Sequence, residues 1–486
     1  MDCSGKQIAV IGMARTGLAV AEAVTGLGAH VVLYDKKDAS ELSDAIEAAR
    51  RLGIEARTGT NDIDLASVDM LVPSPGVPRH LPVFAEAERR GVEVVSEIEL
   101  AYRLSKAPII AITGTNGKTT TTILTGRILM VDGRDAFIAG NVAGAGDRLG
   151  GSPSTALRTG LALPVPLVTA AVKAGPDSVI VAEISTFQLE WISSFRPRIA
   201  AVLNVSSDHM DRHAGIDEYA ALKARIFENQ AESDFSIINA ENLITAAFAP
   251  NLRGRVLRFA RLSEVDEGAF VRGDDLIIRL GGREARICSR SDIRIPGEHN
   301  VENVLAAACA AMAFGARPES VLRAVREFTG VEHRLETVAT IDGVRYVNNS
   351  MCTNVEAAVR SVEAIDEPQI VIAGGKDKGS DYAPLAQAFR RKAKHVVLIG
   401  ADAGLIRSAA ERAGYEAVSD AASMQEAVDK ARALAAPGDV VVLTPGCASF
   451  DMFESFEHRG RMFKEIVRNL ESGIGNWEVR KRGGDG

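Results

Sequence analysis

The sequence predicts an α/β protein of three domains built on mostly parallel sheets. Three observations lead there. At 486 residues the chain has room for about three domains of ~150 residues each. Strand-like and helix-like runs alternate in three blocks, the pattern of parallel strands joined by helical crossovers. Most predicted strands also close on glycine or a small polar residue, at the sheet edge where open α/β folds bind their ligands.

The first block opens with the apolar run Gln7–Ile11, turns through glycine, continues as a helix to Leu27 and returns as the strand His30–Asp35. Met70–Val72 and Val92–Val95 complete a domain over residues 1–104. A second domain, 105–330, starts with the strand Pro108–Thr113 and its glycine loop. Strands Ser178–Ala182 and Ile199–Val205 follow, then a helix from about Asp217 to Asn229. A helix after His299, rich in alanine over Ala306–Ala311, closes it, with Phe328-Thr329-Gly330 as the linker. The third domain, 331–486, shows strands at Gln369–Ala373, His395–Ile399 and Asp439–Leu443. Residues 144–176 read as an inserted loop with a short apolar element, and the tail from 472 as frayed.

Composition narrows the function classes. With 46% apolar and 25% charged residues the chain is not predominantly disordered. Its net charge of −8 argues against a general nucleic-acid or anionic-membrane surface, while a local basic pocket remains open. Cysteines at Cys3, Cys288, Cys309, Cys352 and Cys447, with no CxxC pair, read as reduced thiols of a cytosol rather than a disulfide frame or zinc site. The first residues run straight into a strand without a signal-peptide pattern. The longest apolar stretches, around 161–172 and 304–316, are too short to span a bilayer. A soluble cytoplasmic protein is expected.

The sharpest motif is Thr113-Gly114-Thr115-Asn116-Gly117-Lys118-Thr119-Thr120, between a β-branched strand and a helix. Such a loop turns backbone N–H groups and a helix N-terminus toward a polyphosphate, the lysine neutralises phosphate charge, and the threonine hydroxyl reaches Mg²⁺. The strict phosphate-loop pattern asks for glycine where Ile112 stands, so a plain glycine turn with an exposed lysine stays as the alternative. Glu183 ends the strand Ser178–Ala182 and is followed by Ser185-Thr186-Phe187-Gln188. A carboxylate at that edge suits Mg²⁺ or water, although a solvated strand cap has the same signature. Ser207-Asp208-His209-Met210-Asp211-Arg212-His213 packs two carboxylates, two imidazoles and a guanidinium into one loop, as a metal ligand and amine-positioning group or as a polar surface turn.

Gly12-Met13-Ala14-Arg15-Thr16-Gly17, with Asp35 after the second strand, resembles a dinucleotide fingerprint of Rossmann-like domains, but Ala14 replaces the middle glycine. A nicotinamide cofactor, another nucleotide and a purely structural turn all remain open, and Lys36 and Lys37 suit a phosphate-bearing ligand. Late polar clusters follow at His299-Asn300 with Asn303, His333-Arg334, Thr353-Asn354, Gly374 to Lys378, and Pro445 to Ser449. Singly each reads as a cap or turn; together they suit a cleft.

In order and spacing, TGTNGKTTT, EISTFQLE, LNVSSDHMDRH, YAALKARIFEN, PGEHNVENVLAAA, HRLE and LTPGCASFDMFESFEHRG resemble the Mur ligases of peptidoglycan synthesis over nearly the whole chain. Asn116 differs from the histidine usual in alanine-adding relatives, Thr119 from the glycine usual in folylpolyglutamate synthases, and a DNPR-like diaminopimelate motif is absent. The resemblance implies a Rossmann-like N-terminal domain, a central phosphate-loop ATPase-like domain and a Rossmann-like C-terminal domain. It also implies an ATP-dependent ligase. ATP phosphorylates the alanyl carboxylate of UDP-N-acetylmuramoyl-L-alanine, and the amine of glutamate, D-glutamate foremost, displaces phosphate.

By the same resemblance, Lys118 disperses phosphoryl charge, Thr119 and Glu183 bind one Mg²⁺, and His209 with Lys223 as its carbamate holds a second. Carbamylation needs a neutral amine, which burial favours. Asp208 and His209 orient the amine, Asn141 touches the UDP-sugar, and Arg15, Thr16, Asp35 and Lys36 line the uridine-diphosphate pocket. Asn300, Asn303 and Arg334 contact ATP; Thr353, Lys378, Ser449 and Phe456 grip glutamate, with Lys378 pairing a carboxylate. No nucleic-acid or membrane partner is implied, and a monomer is expected.

Two departures stand out. Asn349-Ser350-Met351 replaces the Asp-Ser-Lys usual in the family, and the stretch between Asn141 and Glu183 is longer than usual. Either suits a subgroup with altered acceptor preference, including L-glutamate. Another Mur-type ligase, a nicotinamide-dependent oxidoreductase resting on the Gly12 turn, and a non-catalytic nucleotide sensor are the rival readings.

Overall fold

The computed structural model describes residues 1–142, 165–206, 215–377 and 380–471. Its contacts form two units: Met1–Ile293 with His299–Phe328, and Arg294–Glu298 with the chain from Thr329.

The first unit holds two sheets. One contains β1 (Gln7–Ile11), β2 (His30–Asp35), β3 (Glu55–Thr58), β4 (Met70–Pro73) and β5 (Glu93–Val94), all parallel, in the order β3-β2-β1-β4-β5. The order reverses at β1, so the Gly12 turn that leaves β1 lies at a topological switch point.

The second sheet contains β6 (Ile109–Thr113), β7 (Ala136–Gly140), β8 (Val179–Glu183), β9 (Ile199–Val202), β10 (Phe235–Asn239) and β11 (Arg255–Ala260). It continues through β12 (Gly268–Arg272), β13 (Asp275–Leu280) and β14 (Arg283–Ser289), in the order β14-β13-β12-β11-β10-β9-β6-β8-β7. Every residue of β6, β8 and β9 is buried, the pattern of strands covered on both faces, which is why they read as unbroken apolar runs. The last three strands are antiparallel, and Gly281 and Gly282, at φ 57° and 74°, make the tight turn between β13 and β14.

The two sheets of this unit share one apolar core, in which Val20, Val24 and Leu100 join Leu167, Val168 and Phe195. The helix Glu97–Leu104 fastens them further. Buried Glu97 accepts the Val168 N–H at 2.7 Å, and buried Glu99 accepts those of Ser193 and Phe195 at 3.0 and 2.8 Å. A carboxylate aimed at orphan backbone donors satisfies them in the way a helix cap does.

The second unit carries β15 (Glu336–Ile341), β16 (Val344–Asn348), β17 (Gln369–Gly374), β18 (Ala393–Ile399), β19 (Val418–Asp420) and β20 (Val440–Leu443). Their order is β15-β16-β20-β17-β18-β19, parallel except for the β15–β16 hairpin. The three-domain, mostly parallel α/β class expected from the sequence is the class observed.

Differences lie at element ends and edges. The strand expected to reach Val205 stops at Val202, because the chain beyond it turns to bind the glycine loop. The helix expected over Asp217–Asn229 runs Ile216–Ala224 and tightens into a 3-10 turn, Arg225–Phe227. Within the expected inserted loop, Leu167–Lys173 is a helix entered from Pro166.

Candidate active site

β6 stops at Thr113, and a glycine-bounded loop leads into the helix Lys118–Val131. Ile112, where the strict motif asks for glycine, is an interior strand residue paired with Glu183 and Ala201. The loop is therefore shorter, and its turn falls to Gly114 and Gly117. Gly117 adopts φ 82°, and a Cβ there would sit 2.2 Å from Asn303 Oδ1, so both backbone and space demand glycine.

The segment after β9 holds this loop in place. Asn204 O accepts the Thr115 N–H at 2.9 Å, and its side chain accepts the Asn116 N–H at 2.8 Å while donating to Asn116 O at 3.2 Å. Lys118 Nζ folds over the loop, donating to Gly114 O and Thr115 O at 2.9 and 2.8 Å. Thr121 Oγ1 donates to Asn303 Oδ1 at 3.3 Å, and Asn303 Nδ2 to Asn300 Oδ1 at 2.9 Å. The two asparagines assigned to ATP thus back the loop itself.

At the second residue of the helix, Thr119 Oγ1 donates to Glu183 Oε2 at 2.8 Å, both residues being buried. Pairing of β8 with β6 and β7 sets Glu183 opposite Ile112 and Gly140. Gly140 permits that approach, since a Cβ there would lie 2.2 Å from Glu183 O. Asn141 Nδ2 reaches Glu183 Oε1 at 3.5 Å. Lys223, from the last turn of the helix Ile216–Ala224, is 1% exposed, so it is not the surface lysine that a bland reading of its helix implies. Its Nζ donates to Gly114 O at 2.9 Å and lies 4.3 Å over the Tyr219 ring. Paired hydroxyl and carboxylate oxygens beside a phosphate loop fit the hard-oxygen preference of Mg²⁺. Asp208 and His209 lie outside the described residues.

The Gly12 turn forms a separate site in the same unit. A Cβ on Gly17 would fall 1.9 Å from Gly12 O, so the helix Arg15–Thr25 can start there only with glycine. Asp35 spends its two oxygens on the N–H groups of Met13 and Lys37, at 2.9 and 3.0 Å. It fastens the turn to the end of β2, and beside it Arg15 and Lys36 are exposed and Thr16 partly so. Ser74, overlooked as a site residue in sequence, touches Gly12 O at 3.3 Å from the end of β4.

In the second unit Ser449 is 2% exposed, and Thr353 and Arg334 are half-buried. Phe456 O accepts the Ser350 hydroxyl at 2.7 Å, and the Phe456 ring meets His333 edge-on at 6.4 Å between centroids. Lys378 lies outside the described residues. Asn349 is buried, receives the Leu335 N–H at 3.2 Å and donates to Ser361 Oγ at 2.8 Å. Both ends of that amide are used inside the unit, a physical reason for an amide at this position. Glu332, His333 and Glu336 cluster closely, but Lys464 pairs with both carboxylates, so an ion network accounts for them.

Sequence reasoning also passed over Gln188, Glu97 and Asn204. Gln188 Oε1 accepts from Ser185 N and Oγ at 2.9 and 3.0 Å, and its Nε2 donates to Glu97 at 3.3 Å. Burial pushes the Glu97 carboxyl up to about 7, against the donors that stabilise its charge. The capping pattern S-x-x-Q was the signal that could have singled out Ser185 and Gln188.

A glycine loop, its lysine, a hydroxyl and a strand-end carboxylate, all at the switch point of a parallel sheet, form the arrangement of a phosphate-loop nucleotide site. The family models of the Mur ligase MurD-like N-terminal domain, the Mur ligase middle domain and the Mur ligase glutamate ligase domain match residues 6–96, 112–311 and 333–447. The chain is 43% identical to a UDP-N-acetylmuramoylalanine–D-glutamate ligase of Pelotomaculum thermopropionicum, covering 97% of this chain and 99% of that one. It is 42% identical to the protein of the same name from Koribacter versatilis, at 97% and 99% coverage. Among solved structures, a UDP-N-acetylmuramate–alanine ligase of Thermotoga maritima shares the fold with a TM-score of 0.59 at 18% identity, covering 96% of this chain and 99% of that one. The chain belongs to the Mur ligase family.

Proposed function

We infer that this protein is an ATP-dependent ligase that joins D-glutamate to UDP-N-acetylmuramoyl-L-alanine in the cytoplasmic assembly of peptidoglycan precursors. Its nearly full-length similarity to D-glutamate ligases supports the substrates. The observation that carries the chemistry is the buried Thr119–Glu183 pair beside the lysine-bearing loop.

The γ-phosphoryl group of ATP passes to a carboxylate oxygen of the alanyl residue and ADP leaves. The glutamate nitrogen then forms a bond to the acyl carbon, the carbon–oxygen bond to phosphate breaks, and the amine loses a proton. Lys118 Nζ is held at the loop by the carbonyls of Gly114 and Thr115, so a short turn of its side chain would bring the ammonium charge to the transferring group. Thr119 and Glu183 are the residues that would hold Mg²⁺, which when bound supplies charge neutralisation on the phosphates. Asn141 bridges from that carboxylate toward the sugar substrate. Lys223, walled by Tyr219 and tied to Gly114, is the residue we assign to carbamate formation, with His209 and the modified Lys223 as the second metal pair and Asp208 and His209 orienting the amine. Arg15, Thr16, Asp35 and Lys36 line the uridine-diphosphate pocket, with Asp35 also shaping the turn. Asn300, Asn303 and Arg334 serve ATP, and Thr353, Lys378, Ser449 and Phe456 serve glutamate. Among the described residues no helix is long and apolar enough to cross a membrane; the cytoplasmic location and the monomeric state belong to this reading through its substrates and the family.

The test is phosphate release with Mg-ATP and UDP-N-acetylmuramoyl-L-alanine, offering D- and L-glutamate separately. Release with the D form alone is expected. Release with the L form marks a stereochemical subgroup, and no release with either overturns the ligase reading in favour of a nucleotide sensor.

A further inference from the structure

Arg459, in the first turn of the helix Phe456–Glu471, has no exposed surface. Burying a guanidinium costs several kcal/mol unless its donors are satisfied and its charge is balanced. Each of its three nitrogens donates, with four of the five N–H groups engaged. Nε donates to Ser350 Oγ at 2.9 Å, Nη2 to Ser350 O at 2.9 Å, and Nη1 to Cys447 O and Ala448 O at 3.2 and 3.4 Å. Every acceptor is neutral, and among the described residues no carboxylate reaches ion-pair distance of this guanidinium. Burial pulls its pKa down toward about 10, with the charge of Asp451 offsetting part of that effect.

The acceptors belong to the segments that carry the glutamate assignments. Ser350 lies three residues before Thr353, and Ala448 adjoins Ser449. The Ser350 hydroxyl that accepts the Nε–H donates its own hydrogen bond to Phe456 O. One guanidinium therefore ties together the turn before Thr353, the turn ending at Ser449 and the helix start at Phe456. We propose that Arg459 is a positioning residue for the acceptor amino acid: it sets the spacing of these segments, and its unbalanced charge favours an occupant with two carboxylates. The proposal rests on the assignment of Thr353, Ser449 and Phe456 to glutamate.

The test compares Arg459→Met, which keeps volume, with Arg459→Lys, which keeps charge but not the forked donors. Thermal unfolding is followed alongside KM for glutamate, ATP and UDP-N-acetylmuramoyl-L-alanine. Arg459→Met is expected to raise the glutamate KM about ten- to a hundredfold with the ATP KM within about twofold, and Arg459→Lys to recover part of the loss. A folded Arg459→Met with unchanged glutamate KM, or with both KM values raised alike, overturns the proposal, because a merely structural residue would not single out one substrate. If Arg459→Met fails to fold, Ser350→Ala removes the Nε acceptor and the Phe456 tether. It is expected to raise the glutamate KM about severalfold, and an unchanged value overturns the proposal. Failure of the underlying assignment shows earlier, in wild-type enzyme that releases phosphate with another amino acid and not with glutamate.

Discussion

Gly117 and Asn303 offer the sharpest test of the nucleotide loop. Gly117→Ala must hold an L-residue at φ 82°, at a cost of about 1–2 kcal/mol. Its new Cβ would also lie 2.2 Å from Asn303 Oδ1, so the amide has to move. Overpacking of this kind costs about 1–3 kcal/mol, and moving the amide strains its bonds to Thr121 and Asn300. The single variant should therefore lose about 2–5 kcal/mol. Asn303→Ala should lose about 1–2 kcal/mol for two hydrogen bonds and leaves space where the clash occurred. The double variant should keep the backbone term and escape the clash, falling short of additivity by about 1–3 kcal/mol. The assay is denaturant unfolding of all four proteins, since Asn303 is itself assigned to ATP and kinetics would mix the two roles. Additive costs would refute the reasoning, because they would mean that the two positions do not meet.

Lys118→Ala should abolish acyl-phosphate formation while the thermal melt stays cooperative, and near-normal turnover would sink the ligase mechanism. Lys223→Ala should lose most activity and regain part of it with added short-chain carboxylic acids that replace a carbamate; no loss at all would make Lys223 purely structural. Asn349→Asp should cost about 1 kcal/mol, because the new carboxylate turns an acceptor toward Ser361, whose hydroxyl already donates to Ala357 O. Combined with Met351→Lys it should lower the ATP KM, an idea that an unchanged or raised value removes. Glu97, raised from 4.5 to about 7 by burial, binds more protons folded than unfolded between those values. Its contribution to stability therefore falls as pH rises through that window, by up to about 3 kcal/mol, and Glu97→Gln should flatten the dependence in denaturant melts at fixed pH steps.

The sequence showed the chemistry more readily than the scaffolding that aims it, for a physical reason. Phosphate transfer needs a glycine turn, a fixed positive charge and hard oxygens, and few residue types supply those, so Gly117, Lys118, Thr119 and Glu183 were visible from type and order alone. The buried parallel strands β6, β8 and β9 were visible because two-sided burial leaves unbroken apolar runs. The sheet extension from β10 to β14 went unread. Strand β14 buries only two of its seven residues fully and carries Arg283, Glu284 and Arg286 on an outer strand, so neither alternation nor an apolar run survives. The helix Leu167–Lys173 was hidden by the proline that starts it.

Residues that work by accepting or donating to backbone leave the weakest trace. Asn204 looks like any strand-end asparagine, yet it carries three of the hydrogen bonds that fix the loop. Asp35, expected among the residues that line the uridine-diphosphate pocket, also holds two main-chain donors, a role that its residue type and position do not announce. The same carboxylate can serve both uses, and the fold shows only the one made to its own backbone. Arg459 is the limiting case. An arginine in an amphipathic helix reads as a solvated charge, and its proposed role becomes visible once the fold brings two separated turns, at Ser350 and at Cys447–Ala448, within reach of one guanidinium.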